Sequence, residues 1–253
     1  MEIFISGSAG FIGLNLRPFL EKEGHTLVEF DLVHGDDLTD APVVIEASRF
    51  TDAIIHLGAV ASIPYCEERP QQAVFTNVLG TMNVAQAAHL HKIPLVYAST
   101  FAARNPQNVY GLTKRLGESL VLKAGGVVLR LANVYGGMGY LENSTNAVSN
   151  FVNMKHKGEK AVIHGDGSAR RDFVHLDDVC RAFIAALDAP SGVYDVCTGV
   201  ETSILELAQM IGVEYEFAPR RIVDAAQPKA SQSILGGWKP LVSLEEGLKW
   251  FKT

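Results

Sequence analysis

Cysteine and positive charge are both scarce in this sequence. Cys66, Cys180 and Cys197 are the 3 cysteines of 253 residues, an odd number without the spacing of metal ligands. We therefore expect no disulfide framework and no metal site, and a reducing compartment. The 22 Lys and Arg residues are outnumbered by 28 Asp and Glu, for a net charge of −6. Without a basic excess to neutralise phosphates, the chain is not expected to bind nucleic acid.

Long apolar runs are also missing. No stretch reaches the roughly 18 apolar residues that cross a bilayer, and the first residues, MEIFISG, do not resemble a signal peptide. These features predict no membrane association and a cytoplasmic protein. Hydrophobic residues nevertheless make up 47% of the chain and charged residues 20%, as in ordinary globular proteins.

What the chain does contain is an alternation of short apolar runs and amphipathic segments. Most of the apolar runs are continuous, as expected for strands that are buried on both faces. This alternation predicts an α/β fold, a Rossmann-type doubly wound parallel sheet with a small C-terminal α/β lobe that binds substrate. The strands are predicted at 3–6, 26–30, 53–57, 94–98 and 126–131, and the helices at 11–23, 71–91 and 110–124.

The predicted domain organisation follows from a change in the sequence pattern near residue 136. Up to that point the apolar runs and amphipathic segments are long and regular, whereas shorter elements follow a loop rich in glycine and asparagine. We predict a Rossmann domain over 1–136, to which segments near 160–187 return. Residues 137–253 would mainly form the substrate-binding lobe.

A glycine-rich stretch, ISGSAGFIG at 5–13, joins the first predicted strand to the first predicted helix. In that setting Gly7 permits a tight turn, Gly10 lets the backbone approach a pyrophosphate, and Gly13 permits close helix packing. The helix N-terminus would attract the anion. Asp31 follows the second predicted strand, where an acidic residue binds the ribose hydroxyls of NAD and repels the extra phosphate of NADP. The pattern predicts an NAD site rather than a plain glycine turn.

A tyrosine and a lysine four residues apart open a predicted helix in NVYGLTKRLGE (108–118). The spacing places Tyr110 and Lys114 on one face, where an ammonium would lower the pKa of the phenol and allow proton transfer. Ser99 and Thr100 end a predicted strand, and active sites of open α/β sheets lie at such ends. Spacing alone also allows an exposed Tyr–Lys pair and hydroxyls that merely cap a loop.

Together these motifs resemble an extended short-chain dehydrogenase/reductase of the NAD-dependent epimerase/dehydratase group, whose members act on nucleotide sugars. The resemblance runs through SGSAGFIG, DLTD (37–40), HLGAVAS (56–62), NVLGTMNVAQAA (77–88), LRLANVYG (129–136) and GDGSARRDFVHLDDV (165–179). It implies a catalytic set of Thr100, Tyr110 and Lys114. The cofactor residues that it implies, with those derived above, are Gly7, Gly10, Phe11, Ile12, Gly13, Asp31, Asp37, Leu38, Leu57, Gly58, Ala59, Asn77, Ser99, Tyr110 and Lys114.

The resemblance also implies substrate contacts and a partner. The substrate-binding positions are Ser62, Thr100, Asn133 and Arg171, with Arg171 on the nucleotide diphosphate. From the residues alone, Arg171 could instead pair with Asp172 or Asp177. The helices near 71–91 and 110–124 are where this family forms homodimers, so we expect a homodimer.

Several positions depart from the family pattern. Phe101 and Ala102 follow Thr100, where family dehydratases and many decarboxylases carry an acid, so dehydration is disfavoured. The loops 32–36 and 101–109 are short, Gly58 replaces an alanine, and Gly137 replaces a proline. The shortened loops and the substrate pocket are therefore the least predictable parts of the site.

These features favour a nucleotide-sugar epimerase that uses NAD and acts at C4 of a UDP-sugar through a transient 4-keto sugar. The alternatives are an NAD(P)H-dependent reductase of nucleotide 4-keto sugars and, more remotely, a non-catalytic regulator that senses NAD. Arg220 and Arg221 are either phosphate ligands or surface residues. We interpret His56, His89, His91 and His175 as structural or surface residues.

Overall fold

A computed structural model describes residues 1–139, 146–219 and 235–251. Its strands are β1 (Glu2–Ser6), β2 (Thr26–Phe30), β3 (Ala53–His56), β4 (Leu95–Thr100), β5 (Val127–Leu131), β6 (Asn133–Tyr135), β7 (Ala161–His164), β8 (Arg170–His175), β9 (Gly192–Val196), β10 (Glu201–Ser203) and β11 (Tyr215–Ala218). Its α-helices are α1 (Phe11–Lys22), α2 (Ala41–Ala47), α3 (Ile63–Glu68), α4 (Pro70–Val74), α5 (Thr81–His91), α6 (Val109–Lys123), α7 (Ala147–Lys157), α8 (Leu176–Ala186), α9 (Ile204–Ile211) and α10 (Leu244–Lys249).

The main sheet is Rossmann-like and has six parallel strands in the order β2-β1-β3-β4-β5-β9. The chain leaves β1 towards one edge and then crosses back to add β3 on the other side of β1. The loops after β1 and β3 therefore meet at a topological switch point, where α/β proteins bind their ligands. The five predicted strands and the α/β fold class are confirmed.

Both faces of this sheet are buried, which explains the continuous apolar strands. On β1, Ile3 and Ile5 face a core shared with α1 and α8, whereas Phe4 faces a second core shared with α2, α5 and α6. Alternation along one strand therefore fills two hydrophobic layers. In the described ranges, no helix is long and apolar enough to cross a membrane. The 3 cysteines are buried and free.

Part of the segment 160–187 packs on the main sheet and part of it does not. Strand β7 pairs with β11 in a separate two-stranded sheet, whereas α8 packs against α1 and β9 forms the sixth strand of the main sheet. The reason is that β7 belongs to a third hydrophobic core, which α7, α9 and α10 also line. This third core, with the sheet β10-β8-β6, forms the C-terminal part of the fold.

The helix predicted at 71–91 is continuous but not regular. Between α4 and α5, residues Phe75–Gly80 form a π-helical segment, so that one helical path runs from Pro70 to His91. Such segments are uncommon and frequently lie at functional sites. Here the segment carries Asn77.

Candidate active site

The glycine loop between β1 and α1 allows three backbone segments to meet without side chains. Gly7 has a φ of +74° and donates its N–H to the carbonyl of Phe30 over 2.8 Å. A Cβ on Gly7 would lie 2.6 Å from the nitrogen of Gly58, and one on Gly13 would lie 2.4 Å from the carbonyl oxygen of Gly7. Both contacts are with backbone atoms and are too short for any side chain, so these two glycines are required by the packing.

The N-terminus of α1 and the end of β2 face the same loop. Gly10 is the N-cap of α1 and has no side chain to accept from the first turn. The carboxylate of Asp31 accepts hydrogen bonds from the backbone N–H groups of Ala9, over 3.0 Å, and Val33, over 3.1 Å. An uncapped helix start beside an acid that ends β2 fits the pyrophosphate and the ribose of a dinucleotide.

Leu38 packs against two glycines behind this loop. A Cβ on Gly58 would lie 2.6 Å from Cδ1 of Leu38, and one on Gly80 would lie 2.9 Å from its Cβ. The packing of Leu38 therefore accounts for glycine where the family usually has alanine. The backbone carbonyl of Leu38 accepts from the side chain of Asn83 over 2.9 Å, and Asp37 accepts from Thr39. Leu57 and Ala59 flank Gly58 in the loop that follows β3.

Asn77 joins the loop after β3 to the helix that carries the Tyr–Lys pair. Its side chain accepts from the N–H of Val60 over 2.8 Å and donates to the Val60 carbonyl over 3.0 Å. It also donates to the hydroxyl of Thr113 over 3.1 Å. Asn77 is buried, and the π-helical segment directs its amide towards these partners. Asn77 therefore holds the loop after β3 against α6 through these hydrogen bonds.

Thr100 and Tyr110 are brought together by the end of β4 and the first turn of α6. Asn108 caps that helix by accepting from the N–H of Gly111 over 2.8 Å. The Thr100 side chain lies beside the phenol of Tyr110, whose pKa it acts to lower, and its Oγ1 accepts from the N–H of Ala102 over 3.3 Å. Two of the three predicted catalytic residues are therefore neighbours at the carboxyl end of the sheet.

The electrostatics of the pair differ from the expectation that Lys114 lowers the pKa of Tyr110. Burial raises the pKa of Tyr110 to about 12, against which the hydrogen bond from Thr100 acts. Burial lowers the pKa of Lys114 to about 7, and the charge of Glu118 opposes that change. The Lys114 ammonium lies 4.1 Å from the centroid of the Tyr97 ring. Desolvation thus moves the two pKa values apart, because it raises that of the phenol and lowers that of the ammonium.

The hydroxyl of Ser99 is engaged in a buried hydrogen-bond network. It donates to Glu118 over 2.6 Å, and Arg130 donates to the same carboxylate from two nitrogens, over 2.8 and 2.6 Å. Sequence reasoning missed Glu118 and Arg130. Two signals were available, because Glu118 lies four residues after Lys114 and Arg130 is a charged residue within an apolar strand.

The short loop 101–109 is held by an ion pair. Arg104 forms a salt bridge to Asp195 on β9, and its guanidinium lies 5.1 Å from the Phe101 ring. Phe101 itself is buried. The loop therefore folds back onto the sheet, and the position that follows Thr100 is filled by a buried aromatic ring.

The predicted substrate residues lie on separate elements. Ser62 is the N-cap of α3 and accepts from the N–H of Tyr65. Asn133 begins β6 and donates to the carbonyl of Asp172 over 3.0 Å, and Arg171 lies on β8 and donates to the carbonyl of Arg170 over 2.8 Å. Arg220 and Arg221 lie outside the described residues.

The four histidines interpreted above as structural or surface residues are divided between core and surface. His56 and His175 are fully buried, and burial lowers the pKa of both. His89 is exposed and His91 is half-buried at the end of α5. The interpretation of these residues as structural or surface histidines is consistent with their placement.

Comparisons with known proteins agree with this geometry. Residues 3–197 match the model of the NAD dependent epimerase/dehydratase family. A UDP-glucose 4-epimerase of Mycolicibacterium smegmatis is 29% identical, covering 98% of this chain and 96% of that protein. UDP-glucuronic acid decarboxylase 1 of Danio rerio is 28% identical, covering 98% of this chain and 71% of that protein.

Among solved structures, the UDP-glucose 4-epimerase of Thermotoga maritima with UDP-glucose superimposes with a TM-score of 0.91. The two sequences are 26% identical, and the superposition covers 98% of this chain and 96% of the Thermotoga protein. Relatives with similar identity therefore catalyse different reactions, so the comparisons do not separate epimerisation from decarboxylation. The family match covers most of the chain, and the chain belongs to the NAD-dependent epimerase/dehydratase family, which confirms NAD as its predicted cofactor.

Proposed function

We propose that this protein is an NAD-dependent nucleotide-sugar epimerase that acts at C4 of a UDP-sugar through a transient 4-keto sugar. The observation that carries the proposal is the placement of Thr100 beside Tyr110, one helical turn from the buried Lys114 and at the sheet edge that carries the glycine loop. A hydroxyl, a phenol and an amine at this edge form a path for moving a proton to and from a sugar hydroxyl.

Each of the three residues has a distinct task in this proposal. Thr100 orients the C4 hydroxyl, Tyr110 accepts its proton and later returns it, and the Lys114 ammonium stabilises the phenolate. Bound NAD supplies the hydride acceptor and donor. Because burial raises the pKa of Tyr110, a nearby positive charge is needed before the phenol can act as a base near neutral pH.

The residues after Thr100 favour epimerisation over elimination. Phe101 and Ala102 carry no acid, and the Phe101 ring fills this position beside Arg104. Dehydration of a sugar needs a second acid to protonate the leaving hydroxyl. Its absence at this position supports a reaction in which the keto sugar turns over and is reduced on its opposite face.

In this proposal the substrate lies between the Rossmann part and the C-terminal lobe. We place the diphosphate on Arg171 and the sugar near Ser62, Thr100 and Asn133. The alignment with the mycobacterial epimerase runs over 304 positions, whereas this chain has 253 residues, so this chain lacks residues at many aligned positions. Because the loops 32–36 and 101–109 are short, we expect the substrate pocket to be compact.

The test is an NMR assay with UDP-glucose or UDP-galactose and catalytic NAD, in which absorbance reports reduced cofactor. We expect the two sugars to interconvert without accumulation of NADH. Tyr110→Phe should lower the rate by at least about 100-fold, because the proton acceptor is lost, while NAD binding is retained. Tyr194→Phe is the matched control, since its hydroxyl donates to the carbonyl of Pro190 on the surface.

The other outcomes separate the alternatives. No interconversion of this pair, followed by stoichiometric oxidation of NADH or NADPH with a 4-keto sugar, would identify a reductase instead. NAD binding without turnover of any nucleotide sugar, in the wild type and in Tyr110→Phe alike, would identify a regulator.

We also propose that the protein forms a homodimer through the helices at 70–91 and 109–123. These helices expose a set of large apolar side chains, among them Phe75 at 54% and Leu112 at 52%. Met82, Leu90 and Leu116 are exposed on the same helices. Light scattering of the purified chain should give twice the monomer mass, and Leu116→Glu should shift it towards the monomer; a monomeric wild type would refute the proposal.

A further inference from the structure

A buried carboxylate follows the Tyr–Lys pair on the same helix. Glu118 is 2% exposed and is four residues after Lys114 on α6. Ser99 on β4 donates to it over 2.6 Å, and Arg130 on β5 donates to it over 2.8 and 2.6 Å. Ser99 and Arg130 are adjacent across the β4–β5 ladder, so two strands hold one side chain of the helix. The proposed catalytic mechanism gives no role to this hydrogen-bonded carboxylate.

The lysine itself is placed where its charge is costly. Lys114 is 2% exposed, and its Nζ lies over the ring of Tyr97. The face of an aromatic ring attracts a cation, but it replaces only part of the lost hydration. Burial accordingly lowers the pKa of Lys114 to about 7, and the carboxylate of Glu118 acts in the opposite direction.

The other ionisable groups around this lysine offer it no comparable support. His56 on β3 is neutral, with a pKa lowered to about 3, and burial raises the pKa of Tyr97 on β4. Tyr110 on α6 has a pKa raised to about 12 and is also neutral. Beyond Glu118 lie two cations, Arg130 on β5 and Arg104 in the loop after β4, whose charges repel an ammonium.

We propose that Glu118 is a positioning residue that keeps Lys114 in its ammonium form beside Tyr110, and that Ser99 holds the carboxylate in place for this task. The inference rests on the proposed function, because it gives a task to the charge on Lys114. The physical reason is that an arginine remains protonated in proteins whereas a lysine can lose its proton. If the carboxylate loses its charge, the lysine is the cation that becomes neutral.

The decisive variant is Glu118→Gln, which keeps the size of the side chain and removes its charge. The measurement is an NMR pH titration of Lys114 in the full chain with NAD, using 13C-labelled lysine, with the signal assigned from its loss in Lys114→Met. The midpoint of Lys114 should fall by about 1–2 pH units relative to wild type. The alkaline limb of the kcat–pH profile should move to lower pH by a similar amount.

Two further variants control for local damage. Arg115→Gln removes an exposed charge that contacts the same carboxylate over 3.3 Å, and it should leave the Lys114 midpoint within about 0.3 pH units of wild type, since exposed pairs interact weakly. Glu118→Asp keeps the charge and should restore most of the midpoint. A purely structural role for Glu118 would not distinguish aspartate from glutamine in this way.

Arg130→Gln tests the same idea with the opposite sign, and it keeps the proposal testable if Glu118→Gln fails to fold. Removing this competing cation should raise the Lys114 midpoint. An unchanged midpoint in folded Glu118→Gln, or a lowered one in Arg130→Gln, would overturn the proposal. The titration requires no turnover, so it remains informative if the chain does not epimerise UDP-sugars. Conversely, lost activity with an unchanged midpoint would overturn this proposal and leave the proposed function standing.

Discussion

His56 connects the glycine-loop strand to the start of α5, and its protonation state can be assigned from its partners. Its Nδ1 lies 2.6 Å from Oγ of Ser6, and its Nε2 lies 2.9 Å from Oγ1 of Thr81. Thr81 donates its one hydroxyl proton to the carbonyl of Asn77 over 2.7 Å, so it must accept from Nε2–H. Nδ1 therefore accepts from the Ser6 hydroxyl, and the ring is the neutral Nε2–H tautomer.

This arrangement predicts a loss of stability in mild acid. Burial, followed by the charge of Lys114, lowers the pKa of His56 from 6.5 to about 3. Below pH 6.5 the unfolded chain binds a proton at this position that the folded protein does not bind, so the stability falls as the pH falls from 6.5 towards 3. Linkage gives a loss of about 2 kcal/mol in the free energy of unfolding between pH 7.5 and pH 5.

The assay is urea unfolding at pH 7.5 and pH 5 for the wild type and His56→Gln. The variant is expected to be less stable at pH 7.5, but its loss on going to pH 5 should be smaller than that of wild type by about 2 kcal/mol. His175 contributes equally to the pH dependence of the wild type and of His56→Gln, so its contribution cancels in the difference between them. His89→Gln, at an exposed position, should keep the wild-type pH dependence.

Two results would refute this reasoning. One is a pH dependence of His56→Gln equal to that of wild type. The other is a 15N NMR spectrum in which the His56 ring gains a proton between pH 7 and pH 5, or in which Nδ1 rather than Nε2 carries the proton at neutral pH.

Three further changes test the packing and charges around the site. Gly117→Ala should lower the free energy of unfolding by about 1–3 kcal/mol, measured by urea denaturation, because a Cβ there would lie 2.4 Å from the hydroxyl of the buried Tyr97. Arg104→Gln should lower the free energy of unfolding by about 3–5 kcal/mol in the same measurement, because it removes a guanidinium that pairs with the carboxylate of Asp195, 3% exposed. Asp31→Asn should weaken NAD binding and reduce the preference for NAD over NADP by about tenfold or more in a fluorescence titration, because the charge that repels the additional phosphate is removed.

Matched variants control for each of these effects. Ser119→Ala lies on the exposed face of the same helix as Gly117 and should change stability by less than about 0.5 kcal/mol. Arg115→Gln removes an arginine whose side chain is 50% exposed and should cost less than about 1 kcal/mol. Asp36→Asn keeps the carboxylate of Asp31 and should leave the NAD preference close to that of wild type. If a control and its partner variant behaved alike, the packing or charge effect given for that position would not be the cause.

The local elements of the first half could be predicted because neighbouring residues determine them. Continuous apolar runs that end in glycine or polar residues identify the strands, and the apolar spacing of 11–23 and 110–124 identifies α1 and α6 to within about two residues. The glycines at 7 and 13 were predictable for the same reason, since the strand–turn–helix context already requires close backbone packing.

The later part of the chain was harder to assign from sequence. Strand β9 has the same local appearance as β7, yet one joins the main sheet and the other joins β11. Similarly, the helical pattern of 71–91 contains no signal for the π-helical segment that directs Asn77. Both depend on which surface remains open when the preceding elements have packed, and that information is not local.

By itself, the sequence determined the fold class, the cofactor loop and the positions of Thr100, Tyr110 and Lys114, because each depends on residue types at short spacing. The tertiary structure alone shows that Ser99 donates to Glu118, that Arg104 pairs with Asp195, and that desolvation moves the pKa values of Tyr110 and Lys114 apart. Burial and charge–charge distances are set by residues far apart in the chain. The chemistry of these side chains therefore follows from the fold and not from the motif alone.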